Sequence, residues 1–359
     1  MVIMLTVIAV VISLVLVVGV HEAGHAWAAH FFNVKIKKIS IGFGRALLSW
    51  QSRSGCQWMW SMWPVGGYVQ LLNSRIEPVL PDDYPYSFDK KPIWARCVIL
   101  LSGAAANLAM AWLALMLILV LGYQQTRPVV EKISMQSIAS IAGLTDGDQI
   151  IRVAGEPVFS WRGVGMQLIM NLGHNDVEIV VVNEAGEMHP LRLDLMKWHY
   201  SGGKESLLSA IGITPDLSAK QDEQVAGLPW LKAFQQAFLQ MMGLLYFFLV
   251  LLKQLLSGVI PFALLLGPIG LFTAMANSLL QGLTVFLYFI ASLSLSVGLI
   301  NLFPIPGLDG GSILYAVVEK IRNKPVSVAM EILLHRLFFI AFCLILVQLL
   351  LNDFQRYLH

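Results

Sequence analysis

Residues 1–25 read MVIMLTVIAVVISLVLVVGVHEAGH. The first twenty carry no charge, and about 20 apolar residues suffice for a helix to cross the hydrocarbon core of a bilayer. No Lys or Arg precedes the run, so it lacks the basic start of a signal peptide. His21, Glu22 and His25 follow without a break. Ionisable side chains at the end of a membrane helix are costly to bury; they face a polar cavity and mark function. On a helix, positions i and i+4 share a face with Cβ atoms about 6 Å apart. Two imidazoles so placed can grip one zinc ion, and the intervening glutamate can reach a metal-bound water.

The rest of the composition agrees with a membrane protein. Of 359 residues, 57% are hydrophobic and 13% charged, where soluble domains carry about 25% charged residues. A net charge of +2 offers nothing to a nucleic acid. Cys56, Cys97 and Cys343 lie far apart and form no C-x-x-C pair, which argues against a disulfide framework or thiolate metal site.

Further apolar runs cover Cys97–Gly122, about Leu279–Ile300 and about Leu337–Leu351, making four transmembrane helices. Between the first two lie Lys35, Lys37, Lys38, Arg45, Arg53, Arg75, Lys90, Lys91 and Arg96, opposed by Glu77, Asp82, Asp83 and Asp89. Short basic loops stay in the cytoplasm. The N-terminus and residues 123–225 are therefore expected outside, and 31–95 inside. The basic loop of Lys320, Arg322 and Lys324 is also expected inside. From 225 to 320 the chain must then cross an odd number of times. If Leu279–Ile300 crosses, the run Ala237–Leu252, flanked by Gln235, Gln236, Gln240, Lys253 and Gln254, lies on the outer membrane surface. The alternative is a fifth span with inverted topology.

A catalytic zinc needs a third protein ligand and one open position. Asp309 is the candidate, in Asn301-Leu302-Phe303-Pro304-Ile305-Pro306-Gly307-Leu308-Asp309-Gly310-Gly311. Two prolines and three glycines forbid a regular helix there, and broken backbone at membrane depth is tolerated where it lines protein or water. Taken alone, Asp-Gly-Gly is a turn; paired with His21 and His25 it reads as a ligand.

Together with Ser102-Gly103-Ala104-Ala105-Ala106-Asn107, these motifs resemble the site-2 protease family of intramembrane zinc metalloproteases, over nearly the whole chain to Asn352-Asp353-Phe354. The resemblance implies zinc held by His21, His25 and Asp309, with Glu22 as general base. It implies that Asn301 and Asn107 help hold the unwound substrate or the catalytic core. It also implies a bacterial inner membrane location, with both termini extracytoplasmic. The implied substrates are transmembrane segments of single-pass proteins, such as an anti-sigma factor trimmed on its outer side, and remnant signal peptides. Two positions depart from the family pattern. Ala104 stands where Pro is usual, and Ser296 where close relatives often carry Asn.

Ile39, Ile41 and Phe43 alternate as on a strand, and Trp58, Trp60 and Tyr68 favour a membrane interface. For residues 39–72 the resemblance implies a β-hairpin or re-entrant loop dipping toward the zinc. Such a hairpin either pairs its open edge with an extended substrate or simply anchors the fold. Ala142–Val158 resembles the core signature of a PDZ domain, with Leu144 and Ile150 buried and Asp148 at the start of a strand. A helix is expected over Trp161–Asn171 and strands over Val177–Asn183 and about Pro190–Leu195, joined by a turn at 183–186. The span 123–218 accommodates one such domain, either binding a peptide terminus or excluding bulky outer domains from the zinc.

The chain thus divides into a first helix (1–30), a cytoplasmic β segment (31–95), a second helix (96–122) and a PDZ domain (123–218). A linker with an interfacial helix follows (219–278), with Thr214–Leu228 read as polar linker. The third helix with its Asp-Gly-Gly loop (279–326) and the fourth with the tail (327–359) complete it. His30, His174, His189, His199, His335 and His359 show no ligand spacing. Two rivals stay open. One is a membrane protease of soluble substrates, which takes its third ligand from a Glu on a later helix. The other is a non-enzymatic scaffold, although a structural zinc is normally closed by four protein ligands.

Overall fold

The computed structural model describes residues 2–52, 55–198 and 206–358; His199 and His359 lie outside them. In chain order come α1 (Val2–Leu14), a π-helical turn (Val15–Gly19), α2 (Val20–Phe31), β1 (Ile36–Gln51), β2 (Gln57–Leu71) and α3 (Ile93–Leu121). Next are β3 (Tyr123–Thr126), β4 (Val130–Ile133), α4 (Ile138–Ile141), β5 (Gln149–Val153), β6 (Glu156–Pro157), α5 (Trp161–Met170), β7 (Val177–Val182) and β8 (Met188–Leu193). The last are α6 (Leu207–Ile211), β9 (Ile213–Pro215), β10 (Asp222–Val225), α7 (Trp230–Leu256), α8 (Pro268–Leu280), α9 (Leu283–Leu302), α10 (Asp309–Arg322) and α11 (Val328–Leu358). They form two compact units, residues 1–117 with 269–348, and 118–268 with 349–359.

In the first unit, α2 and α3 run antiparallel. An ideal Cβ on Gly24 would lie 2.5 Å from the Ser102 carbonyl oxygen and 2.8 Å from Ala106 Cβ. Only glycine allows this approach, the small-residue packing that membrane helices use. Helix α9 runs parallel to α1 and α2. Phe286 and Ile290 pack on Ala9 and Val17, and the Ser294 hydroxyl donates to the Asn107 carbonyl.

Strands β1 and β2 form a bent hairpin. Residues 36–41 pair antiparallel with 67–71, 38–41 run alongside 57–60 in the same direction, and 46–51 pair antiparallel with 57–61. The result is effectively four short strands, with 67–71 at one edge. The bends fall at Gly42, Gly44 and Gly66, all with positive φ.

The second unit packs α5 and α6 around a four-stranded antiparallel sheet of order β6-β5-β7-β8. Leu144 and Ile150 are buried in its core, and the Asp148 carboxylate accepts from the Thr145 N–H and hydroxyl. Helix α5 and strands β7 and β8 fall within two residues of the ranges expected from sequence.

Three expectations are corrected. Thr214–Leu228 is no linker. Strands β9 and β10 occupy part of it and pair with β4 and β3, which satisfies backbone groups that a bare linker would expose. The run expected at Leu279–Ile300 is divided, because Gly282 at φ +121° separates α8 from α9. The glycines after Asp309 do not prevent a helix; α10 begins at Asp309. Among the described residues, five helices are long and apolar enough to cross a bilayer, the one beyond the four expected runs being Trp230–Leu256. The surface reading covered only its middle, 237–252, since the flanking glutamines interrupt its apolar pattern.

Candidate active site

The π-helical turn Val15–Gly19 sits directly before His21; such turns often mark functional positions in helices. Past it, His21 and His25 stand one turn apart on the buried face of α2, their rings edge to face with centroids 4.7 Å apart. Helix α3 orients both. His25 Nδ1 donates to the Ile99 carbonyl oxygen over 2.8 Å, so in the neutral ring Nε2 keeps its lone pair. His21 Nδ1 lies 3.3 Å from the Asn107 side-chain amide. The Asn107 nitrogen faces the ring, which leaves Oδ1 buried without a partner. Turning the amide over lets Oδ1 accept from Nδ1–H, which frees the lone pair of His21 Nε2 as well. Gly103 makes the space for both rings, since a Cβ there would lie 2.3 Å from His25 Nε2 and 2.8 Å from His21 Cε1.

Asp309 reaches the same point from the start of α10. Gly310 and Gly311 let this helix press on the preceding loop; a Cβ on either would lie 2.2 Å from the carbonyl oxygen of Phe303 or Ile305. Asp309 Oδ2 lies 3.1 Å from His21 Nε2 and 3.1 Å from His25 Nε2, and the two nitrogens lie 3.1 Å apart.

Three lone-pair atoms converging this closely repel unless a proton or cation lies among them. A four-coordinate zinc holds N and O ligands at about 2.0–2.1 Å, which sets neighbouring ligand atoms about 3.3 Å apart. The observed triangle matches that spacing, so these residues fit a metal ion, with a fourth position left open. Glu22, next in sequence to His21, faces the hairpin edge. Its carboxylate accepts from the Val69 backbone N–H, and the bare Cα of Gly67 lies against its side chain.

Asn301 and Ser296 both lie on α9. The Asn301 amide donates to the Val297 carbonyl and the Ser296 hydroxyl to the Ser292 carbonyl, both within α9. Sequence reasoning missed the Ile99 carbonyl, because a backbone acceptor carries no residue signature. It also missed the close approach of Gly24 to Ser102 and Ala106, because nothing in a sequence reports which helices touch.

Comparison with known proteins agrees with this geometry. The description "Peptidase family M50" matches residues 9–346. Similar proteins include the regulator of sigma-E protease of Salmonella typhimurium, 26% identical over 440 aligned positions covering 97% of this chain and 98% of that one. That of Escherichia coli is also 26% identical, covering 96% and 97%. A protein of Pasteurella multocida, named as a candidate zinc metalloprotease, is 26% identical over 96% and 98%. The Salmonella alignment exceeds this chain's 359 residues, so that relative carries residues without counterpart here. The convergence of two histidines and an aspartate is thus embedded in a match that spans nearly the whole chain, and the chain belongs to peptidase family M50, a metalloprotease with several membrane-length apolar helices.

Proposed function

We propose that this chain is a zinc-dependent intramembrane endopeptidase that cuts transmembrane segments of single-pass proteins. His21, His25 and Asp309 would hold the zinc, which supplies Lewis acidity for the scissile carbonyl and the attacking water. Glu22 takes the proton of that water and passes it to the leaving amine. Ile99 and Asn107 hold the imidazoles with Nε2 forward, and residues 67–71 offer a strand edge that keeps the substrate extended beside Glu22. The substrate would be an anti-sigma-factor-like protein of the inner membrane, a reading in keeping with the sigma-E regulation in the relatives' names and with the membrane-length apolar helices.

The observation that carries this reading is the 3.1 Å triangle of His21 Nε2, His25 Nε2 and Asp309 Oδ2. Its test is Glu22→Gln in the full-length chain, with zinc content and cleavage of a membrane-embedded reporter measured together. Zinc should remain stoichiometric while cleavage falls about 10²- to 10⁴-fold. Unchanged cleavage would defeat the assignment.

Residues 123–218 would be an extracytoplasmic PDZ domain that keeps bulky outer domains from the zinc, and residues 31–95 would be cytoplasmic. Four spans are favoured over five, with α7 on the outer surface. Two features support this. Because α9 runs parallel to α1 and α2 while α3 runs against them, the chain leaves α3 and re-enters α9 from one side, which demands an even number of crossings between. Both ends of α7 are also tied to the same folded unit. Leu228 N–H donates to the Leu119 carbonyl at one end, and Gln254 donates to the Met170 carbonyl of α5 at the other.

A further inference from the structure

Helix α3 carries three features that orient the two histidines: the Ile99 carbonyl, the gap at Gly103 and the Asn107 amide. It also makes a contact that has no part in the chemistry described above. In its first turn, Arg96 Nη1 donates to both carboxylate oxygens of Glu319 at 3.0 Å each. Arg96 is 6% exposed, its Nε is buried without a partner, and its guanidinium lies over the Phe88 ring. Glu319 belongs to α10, the helix that begins at Asp309. Glu319 lies ten positions after Asp309 on this helix, about 15 Å along it at about 1.5 Å per residue.

With Arg96 buried and Glu319 22% exposed, such a pair is a weak stabiliser, because desolvation offsets its attraction, and apolar replacements are often neutral. In some proteins such a pair instead fixes one register among several. Register is what α10 needs: it hangs from α9 by Phe303–Leu308, a loop with two prolines and a positive-φ Gly307. We propose that Arg96 and Glu319 are positioning residues for the metal centre, locking the helix that bears Asp309 onto the same helix that orients His21 and His25. The inference rests on the reading of that centre as a zinc site.

The test uses purified full-length protein in detergent. Zinc affinity is measured by competition with a chromophoric chelator, and unfolding temperature is measured with the metal removed. Arg96→Met and Glu319→Gln should each weaken zinc by about tenfold or more, the order seen when groups behind a ligand are lost. Arg96→Lys should recover part of the loss. The double variant Arg96→Met with Glu319→Met leaves no unpaired charge; it should bind zinc no worse than the weaker single variant and unfold, metal-free, near wild type. Variants that hold zinc within about twofold of wild type, with a lowered metal-free unfolding temperature, would make the pair purely structural and overturn the inference. A wild-type chain that binds no zinc would overturn the reading of the site and the inference with it.

Discussion

Gly103 shows how narrow the tolerances are at the level of single residues. Its missing side chain is the volume into which both imidazoles project, and the atom met first would be His25 Nε2. The neighbour cannot yield cheaply, because His25 is also held at Nδ1 by the Ile99 carbonyl. Gly103→Ala should therefore lower zinc affinity by about 10- to 100-fold, while residues 118–268, a separate unit, keep their unfolding behaviour. Chelator competition with thermal unfolding measures both, and unchanged zinc affinity would show that the rings have slack. Asn107→Ala removes a partner of His21 rather than adding bulk, and a loss of similar size is expected by the same measurement.

Among the elements, α3 is the frame, and the segment between β2 and α3 is laced to itself rather than left loose. There the Asp89 carboxylate accepts from the Ser74 N–H at 2.8 Å and its hydroxyl at 2.6 Å. Burial alone would raise this carboxyl, but the two Ser74 donors and Lys90 outweigh it and hold it below the ordinary value of 3.8. A carboxyl depressed in the folded state contributes stability that is complete above its unfolded pKa and disappears as pH falls through the lower folded value. Amide hydrogen exchange at Ser74 should accordingly gain an extra opening component as pH drops below about 3.8, relative to neighbouring amides. Asp89→Asn should lack that pH-dependent step and show faster exchange at neutral pH. A wild-type profile parallel to that of Asp89→Asn would refute the assignment.

For the whole molecule, α7 sets how many times the chain crosses the bilayer. Among the described residues, length and composition admit five helices, yet both ends of α7 are tied to one folded unit. With Cys56, Cys97 and Cys343 replaced, single cysteines at Gln224 and Gly258 should both react with a membrane-impermeant maleimide added outside intact cells. A cysteine at Lys324 should react only after permeabilisation. Protection of position 258 with labelling of 224 would make α7 a span.

Much of the candidate site is legible in the sequence. His21, Glu22 and His25 lie on one helix, where spacing alone dictates which side chains share a face. The irregular backbone before Asp309 is written in Pro304, Pro306 and Gly307, and the strand and helix ranges around Val177–Leu193 follow from local alternation and turn residues. Membrane character came from composition, which needs no fold. The distance from Asp309 to the histidines was decided only in three dimensions, because 284 residues separate it from His25 and no local pattern reports on such a contact. The same holds for the Ile99 carbonyl, for the return of β9 and β10 onto strands far back in the chain, and for the bridge from Arg96 to Glu319. Each joins groups whose meeting depends on how the helices pack, and packing belongs to the assembled chain.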